Sequence, residues 1–188
     1  MIINDIHFKL KDGRQALLRS PREEDIPGTI DYLRQSAGET EFIIRYPEEC
    51  GIYTPELEKS VFAQKNDSPC DAMIMALVDG RVAGNCDIHF YTGIKTRHRA
   101  NVSIALLKDY WSLGLGTRMI EEMIRLALAR PETTQMELGF IEGNGRARRL
   151  YEKMGFRIVG FHPNAIRLKN GTLLHEYMMV KTLDRKKE

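Results

Sequence analysis

The sequence predicts a mixed α/β fold, in which one layer of predominantly antiparallel sheet is flanked by helices. The dipeptide Asp79-Gly80 stands between two apolar runs, a pattern typical of an antiparallel hairpin. Apolar residues recur at helical spacing from Gly114 to Arg130, but alternate with other residues from Gln135 to Ile141, as in a strand. Because a doubly wound parallel sheet would not contain the hairpin, we set aside a generic α/β nucleotide-binding fold.

The first strand is predicted at Arg14 to Arg19, directly before a helix start. Ser20 is placed to cap this helix, Pro21 suits its first position, and Glu23 completes a capping box. The helix is expected to end near Gln35.

The rest of the chain is divided by turn and capping residues. Ser36 to Gly51 shows no clear period and is predicted to be a loop with short turns. A second helix is predicted to start at Thr54-Pro55-Glu56 and to end near Lys65. The remaining predicted elements are strands at Asp71 to Val78, Arg81 to Tyr91, Arg97 to Leu107, Gln135 to Ile141, Phe156 to Phe161 and Leu173 to Lys181, and helices at Gly114 to Arg130 and Asn144 to Met154.

Size, charge and cysteine content limit the function classes. The 188 residues suit a single domain over 1–188, and a net charge of +2 offers no basic surface for nucleic acid. No apolar run approaches the ~20 residues of a membrane span, and the first residues do not resemble a secretory signal. The three cysteines, Cys50, Cys70 and Cys86, predict reduced thiols in the cytoplasm. No histidine or cysteine spacing predicts a metal site, and the basic tail Lys181 to Glu188 is interpreted as a solvated terminus.

Two segments contain the residue patterns that predict a chemical function. In Trp111-Ser112-Leu113-Gly114-Leu115-Gly116-Thr117, two glycines stand where a strand ends and a helix begins. Backbone amides can point outward there, at the positive end of the helix dipole, which is the physical basis of a pyrophosphate site. The second segment is Asn144-Gly145-Arg146-Ala147-Arg148-Arg149-Leu150-Tyr151, followed by Gly155-Phe156.

With both segments, the chain resembles the GNAT superfamily of acyl-CoA-dependent N-acyltransferases over about residues 14–182. The family signature is [Arg/Gln]-x-x-Gly-x-Gly/Ala, followed by Asn-x-x-Ala-x-x-Leu-Tyr-x-x-x-Gly-Phe. The second part is complete here, whereas the first begins with Trp111 in place of Arg or Gln. Since the cradle works through main-chain amides, phosphate binding is still expected.

The resemblance implies where acetyl-CoA is bound. The strand ending Ile104-Ala105-Leu106 should splay from the strand at Glu137 to Ile141, and its free backbone should hydrogen-bond the pantetheine arm. The turn should hold the pyrophosphate, Asn144 and the first turn of its helix should contact the coenzyme arm, and Arg146 could bind a phosphate. The implied coenzyme-binding residues are Ile104, Ala105, Leu106, Trp111, Leu113, Gly114, Leu115, Gly116, Thr117, Asn144, Arg146, Ala147 and Tyr151.

Tyr151 is the predicted catalytic acid. The resemblance places it beside the thioester sulfur, and a phenol can donate a proton to a thiolate, whose free thiol has a pKa near 8.5. The alternative is that Tyr151 simply packs as a helix aromatic.

The general base has several candidates. In the N-terminal acetyltransferases that the chain resembles, a Glu lies five residues before the motif asparagine, where this chain has Gly139. In other members a Glu lies on the preceding strand, near Asn101. Glu137 shares a strand face with Gly139 and could act through water, or could be solvated or salt-bridged. Asp87 and His89 on a neighbouring strand are further candidates, although a strand histidine is more often structural.

The predicted function is transfer of acetyl from acetyl-CoA, without a metal, to a primary amine: a small amine, a polyamine or a peptide N-terminus. Glu39, Glu41, Glu48 and Glu49 against the single Arg45 suggest an acidic rim that would attract a cationic acceptor, or else an ordinary acidic loop. The alternative function is a non-catalytic acyl-CoA-binding module. Exposed sheet edges of family members often pair into dimers, so the resemblance also allows a homodimer.

Overall fold

The structure, a computed structural model, describes residues 1–184. Residues 185–188 of the predicted solvated tail lie outside the described residues. The elements are β1 (Ile6–Lys9), β2 (Gln15–Arg19), α1 (Ile26–Glu39), α2 (Pro55–Asp67), β3 (Asp71–Val78), β4 (Arg81–Phe90), β5 (Arg99–Leu106), α3 (Leu115–Leu128), β6 (Gln135–Ile141), α4 (Gly145–Lys153), β7 (Arg157–Arg167) and β8 (Leu173–Thr182), with 3₁₀ turns at Glu23–Asp25, Pro47–Ile52 and Lys108–Tyr110.

The eight strands form one sheet in the order β1-β2-β3-β4-β5-β6-β8-β7. The pairs β1/β2, β2/β3, β6/β8 and β7/β8 are antiparallel, while β5 and β6 run parallel. The predicted mixed α/β fold with a mostly antiparallel sheet is therefore confirmed. Among the residues the structure describes, no helix is long and apolar enough to cross a membrane.

The chain forms two compact units. Unit 1 comprises Met1–Ile88 and Ile104–Met119, and unit 2 comprises His89–Ser103 together with the chain from Ile120 onward. The number of domains stays a prediction.

Unit 1 has its apolar core where α1 and α2 meet β3. Residues of all three elements are buried together there: Ile26, Ile30, Phe62, Met73, Met75 and Leu77. The hairpin is confirmed, since Asp79 and Gly80 have φ angles of 47° and 78°, which a tight two-residue turn requires. The second helix also begins as predicted, because the Thr54 hydroxyl accepts a 3.2 Å hydrogen bond from the Leu57 N–H.

The predicted start of the first helix is wrong. The Ser20 hydroxyl accepts a hydrogen bond from the Ile3 N–H at 2.9 Å, so it ties down an N-terminal segment that the sequence did not reveal. That segment leads into β1, which the prediction missed. The helix begins at Ile26 after a 3₁₀ turn, where the Asp25 carboxylate accepts from the Arg22 N–H at 2.8 Å, and it runs on to Glu39.

Unit 2 is built around β6 and β8, which pair over seven residues, with β7 along the other side of β8. β7 extends to Arg167, well beyond the predicted end at Phe161. Pro163 and Asn164 resemble a turn in the sequence, but a register shift between His162 and Ile166 accommodates them within the strand. The predicted Asn144 cap and Gly155 stop are confirmed: the Asn144 side chain accepts from the Ala147 N–H at 3.2 Å, and Gly155 has a φ of 86°.

Candidate functional site

In unit 1, the turn from β5 into α3 presents main-chain N–H groups that have no hydrogen-bond partner within residues 1–184. The first intrahelical bond runs from the Arg118 N–H to the Gly114 carbonyl, so the amides of Leu115, Gly116 and Thr117 precede the helical ladder. Gly114 has a φ of 94°, and the nearest atoms to a Cβ built there, both of the Lys11 side chain, lie 4.0 Å away. The turn therefore fits a phosphate group, because its amides lie at a helix N-terminus beside an open glycine.

Three hydrogen bonds within unit 1 hold this turn. The Trp111 indole N–H donates to the Leu106 carbonyl at 2.9 Å, which fastens the start of the turn to the end of β5. The Glu39 carboxylate accepts from the Lys108 N–H at 2.7 Å, and the Leu113 carbonyl accepts from the Lys11 N–H at 3.1 Å. Trp111 thus supports the turn with its own side chain at the position where the family signature has Arg or Gln.

The end of β5 is held by a polar chain that begins at α1. The Tyr32 hydroxyl lies 3.2 Å from the Ala105 carbonyl and 2.9 Å from Asn85 Oδ1. The Asn85 amide donates to Asp87 at 2.9 Å, and Asp87 pairs with Lys65 at 3.2 Å. Burial raises the pKa of Asp87, and Lys65 opposes that change. As a base candidate, Asp87 is therefore already engaged within unit 1.

In unit 2, Tyr151 lies on α4 with its ring between two other aromatic rings. The ring centroids are 6.3 Å from Phe140 and 6.2 Å from Phe156. Its side chain is 6% exposed, and burial raises the pKa of Tyr151 to about 12. Among residues 1–184 the hydroxyl has no hydrogen-bond partner. Arg146, by contrast, is exposed on the first turn of α4.

Glu137 and His89, two of the base candidates, have contacts in unit 2. Arg99 binds the Glu137 carboxylate through Nε at 3.0 Å and Nη2 at 2.8 Å, which favours the salt-bridged alternative. The His89 ring packs edge-on against Tyr91, with centroids 5.4 Å apart.

Glu176 of β8 is a residue that sequence reasoning missed. A Cβ atom on Gly139 would lie 2.7 Å from Glu176 Oε1, so this carboxylate fills the space of a side chain at position 139. A glycine inside a strand often marks such a close approach, and that was the available signal. The partner could not be predicted, because the pairing of β6 with β8 joins residues far apart in the sequence.

Part of the acidic segment is used in local structure. Besides Glu39, the Glu49 carboxylate accepts from the Tyr46 N–H at 2.7 Å. Glu41 and Glu48 are exposed, and Arg45 donates to the Ser36 hydroxyl at 3.0 Å. Part of the predicted rim is therefore engaged in local structure.

The comparisons with known proteins agree on one family. The sequence model described as the acetyltransferase (GNAT) family matches residues 34–156, more than half of the chain. A GNAT-family acetyltransferase from Streptococcus pneumoniae is 27% identical, with a TM-score of 0.81, and the match covers 89% of this chain and 99% of that chain.

Two further solved structures share the fold. Ribosomal-protein-alanine N-acetyltransferase from Brucella melitensis is 22% identical, with a TM-score of 0.74 and coverage of 88% of this chain and 99% of that chain. A putative acetyltransferase from Salmonella typhimurium, solved with its cofactor acetyl-CoA, is 16% identical, with a TM-score of 0.73 and coverage of 91% and 95%.

Proposed function

The chain belongs to the GNAT acetyltransferase family, and from this premise we propose that it transfers the acetyl group of acetyl-CoA to a primary amine. The observation that carries the proposal is Tyr151. Its phenol is buried, its pKa is raised to about 12, and its hydroxyl has no partner among residues 1–184. The phenol therefore stays protonated at neutral pH, and its proton is the one that the departing thiolate would receive.

Several of the predicted residues have a physical task in this reaction. Acetyl-CoA brings the acetyl group as a thioester, which a neutral amine can attack. The amides of Leu115, Gly116 and Thr117 bind the pyrophosphate, since the helix N-terminus favours negative charge. Tyr151 donates its proton to the departing sulfur, and Asn144 fixes the start of the helix that carries Tyr151.

The acceptor is proposed as a class. A peptide N-terminus is one member, supported by the name of the Brucella melitensis neighbour, a ribosomal-protein-alanine N-acetyltransferase. A small amine is another, since a further neighbour is a putative phosphinothricin N-acetyltransferase. Both neighbours are less than 25% identical and establish the fold alone.

The setting of the protein is also a proposal. Within residues 1–184, Cys50, Cys70 and Cys86 form no disulfide bond, which supports a reducing compartment such as the cytoplasm. The homodimer stays a prediction, and sedimentation of the purified chain would test it.

The proposed reaction is tested by turnover. The purified protein is incubated with acetyl-CoA and, separately, spermidine or a short peptide beginning with alanine or serine. Release of free thiol is followed, and the product is identified by mass spectrometry. We expect amine-dependent thiol release with at least one acceptor. Binding of acetyl-CoA without any such release would instead favour the non-catalytic module, and a lack of binding would overturn both.

A further inference from the structure

We propose that Glu176 is the general base of this acetyl transfer, an inference that rests on the proposed function. Its carboxylate lies against Gly139 in the interior of β6. A Cβ atom at Gly139 would be 2.7 Å from Oε1, 3.4 Å from Cδ and 3.6 Å from Cγ. Gly139 is not among the glycines with positive φ, so its backbone would accept any residue. The absence of a side chain at Gly139 therefore permits the close approach of Glu176.

The Glu176 carboxylate is available for proton transfer. It is partly buried, and among residues 1–184 it makes no hydrogen bond and no ion pair. The other two carboxylates on or next to β6 are engaged: Glu137 is bound by Arg99, and Glu142 accepts from the His175 N–H at 3.0 Å. The Glu176 oxygens are therefore not held by a cationic side chain and can contact a substrate amine or a water.

The strand register places Glu176 on the side of the unit 2 sheet opposite to Tyr151. Glu176 pairs with Ile141, so the two side chains share a face, and Gly139 belongs to the same face. Phe140 points to the other face, where its ring contacts Tyr151. The attacking nitrogen and the departing sulfur are bonded to the same carbon, so the base and the acid approach one centre from different directions. In the proposal Glu176 acts on the nitrogen from one face of the sheet, directly or through a water, and Tyr151 acts on the sulfur from the other.

These two groups and the solvent account for every proton and electron pair in the reaction. The Glu176 carboxylate accepts one proton from the acceptor ammonium, directly or through a water, and the freed nitrogen lone pair forms the C–N bond. The C–S bond then breaks with its electron pair on sulfur, and Tyr151 protonates the thiolate. The surplus proton on nitrogen returns to the tyrosinate through solvent, and Glu176 releases its proton to bulk water. The net products are the amide, the free thiol and one proton.

Other titratable groups lie near Glu176 and must be considered in a pH profile. His162 is its direct register partner on β7. Glu137, with its partner Arg99, lies two residues from Gly139 along β6, and the Glu142 and His175 pair adjoins the end of β6. The pH dependence of kcat in one variant therefore does not assign the titration to Glu176 by itself. A second variant is needed that moves the carboxylate without changing these neighbours.

The first test replaces the carboxylate by an amide of the same shape. Glu176→Gln is expected to lower kcat by about 10²–10⁴-fold, the usual contribution of a general base, with little change in the KM for acetyl-CoA. Its residual rate should rise with pH, because only the fraction of amine already neutral in solution can react. Glu132→Gln, at an exposed carboxylate of unit 2, is the control and should keep wild-type kcat. If Glu176→Gln keeps kcat within twofold of wild type, the inference is overturned.

The second test relocates the carboxylate. Gly139→Ala adds a Cβ only 2.7 Å from Oε1, so it should displace the Glu176 carboxylate and lower kcat while the fold is retained. Combining Glu176→Ala with Gly139→Glu returns a carboxylate to the same space from β6. The double variant should recover at least about tenfold of the kcat lost in Glu176→Ala. A melting temperature restored without kcat would show a structural role and contradict the inference.

The outcomes separate this inference from the proposed function. If the wild-type protein shows no amine-dependent thiol release with spermidine or the peptides, the proposed function fails and the base assignment fails with it. If the wild type turns over but the Glu176 variants match it, only the base assignment fails.

Discussion

In unit 1 the β5–α3 turn can bind a ligand through main-chain N–H groups, whereas in unit 2 the paired strands β6 and β8 can act on a ligand only through side chains. The turn depends on Gly114 and on a helix start, both visible within a few consecutive residues. The second region depends on Gly139 and Glu176, which only the strand register brings together. A backbone site can tolerate an unusual neighbour such as Trp111, because the amides remain in place. The proposed base depends on a side chain, and its carboxylate comes from β8 beside the glycine of β6.

The largest expected effect on the reaction rate concerns a side chain of unit 2. Tyr151→Phe removes one hydroxyl and keeps the ring that packs against Phe140 and Phe156. We expect kcat to fall by about 10²–10⁴-fold, because the thiolate loses its acid, while the Kd for acetyl-CoA stays near wild type. Steady-state kinetics and calorimetry measure the two quantities. An unchanged kcat would remove Tyr151 from the mechanism.

The matching change in the backbone region is Gly114→Val. At a φ of 94° a β-branched residue is strained, and its side chain would occupy the open space beside the amides. We expect the Kd for acetyl-CoA to rise by about 100-fold or more. Gly171→Val is the matched control, since Gly171 has a φ of 87° in the turn before β8 and equally open surroundings. Normal affinity in the Gly114 variant would contradict the assignment of the turn.

Each unit also contains a buried tyrosine, and alkaline unfolding compares them. Burial raises the pKa of both Tyr32 and Tyr151, the latter to about 12 from 10.0. Above pH 10 the unfolded chain loses the phenolic proton that the folded chain keeps, so stability falls as pH rises towards 12. For Tyr151 the loss amounts to about 3 kcal/mol over that range. Urea unfolding at pH 8, 10 and 11 should show a shallower decline in Tyr151→Phe, and an equal slope would contradict the burial of the phenol.

The smallest expected effect concerns the acidic segment. Reversing Glu41 and Glu48 to Lys should raise the KM for spermidine by about two- to threefold at low salt, and less at high salt, if these carboxylates attract a cationic acceptor. Glu49 is left intact because its carboxylate accepts the Tyr46 N–H. The same reversal at Asp67 and Glu132 provides the control. A KM that does not change would show that the segment is an ordinary acidic loop.

The parts of the fold that could be predicted are those with local signals. The Asp79-Gly80 hairpin, the Thr54 and Asn144 caps and the Gly155 stop each depend on neighbouring residues, and all agree with the structure. Ser20 shows where such reasoning fails. A serine hydroxyl can cap the helix that follows it or can bind a residue that is distant in the sequence. The Ser20 hydroxyl accepts from the Ile3 N–H, and this tertiary contact replaces the local cap.

The same distinction applies to the candidate site. The glycines and the Asn144 to Phe156 motif were sufficient to predict the family. The salt bridge between Arg99 and Glu137 and the contact between Glu176 and Gly139 were not predictable, because each joins strands whose pairing no short sequence pattern specifies.

The Trp111 hydrogen bond has a practical consequence. Trp111 is the single tryptophan of the chain, and its indole N–H is bonded to the Leu106 carbonyl at the entrance of the turn. The Lys108 ammonium also lies 5.9 Å from the centre of its ring. Intrinsic fluorescence excited at the red edge of the absorption band, where tyrosine is silent, therefore comes from this one point of the molecule. The protein carries a built-in optical probe beside the β5–α3 turn, and ligand titrations can be followed on the unlabelled chain.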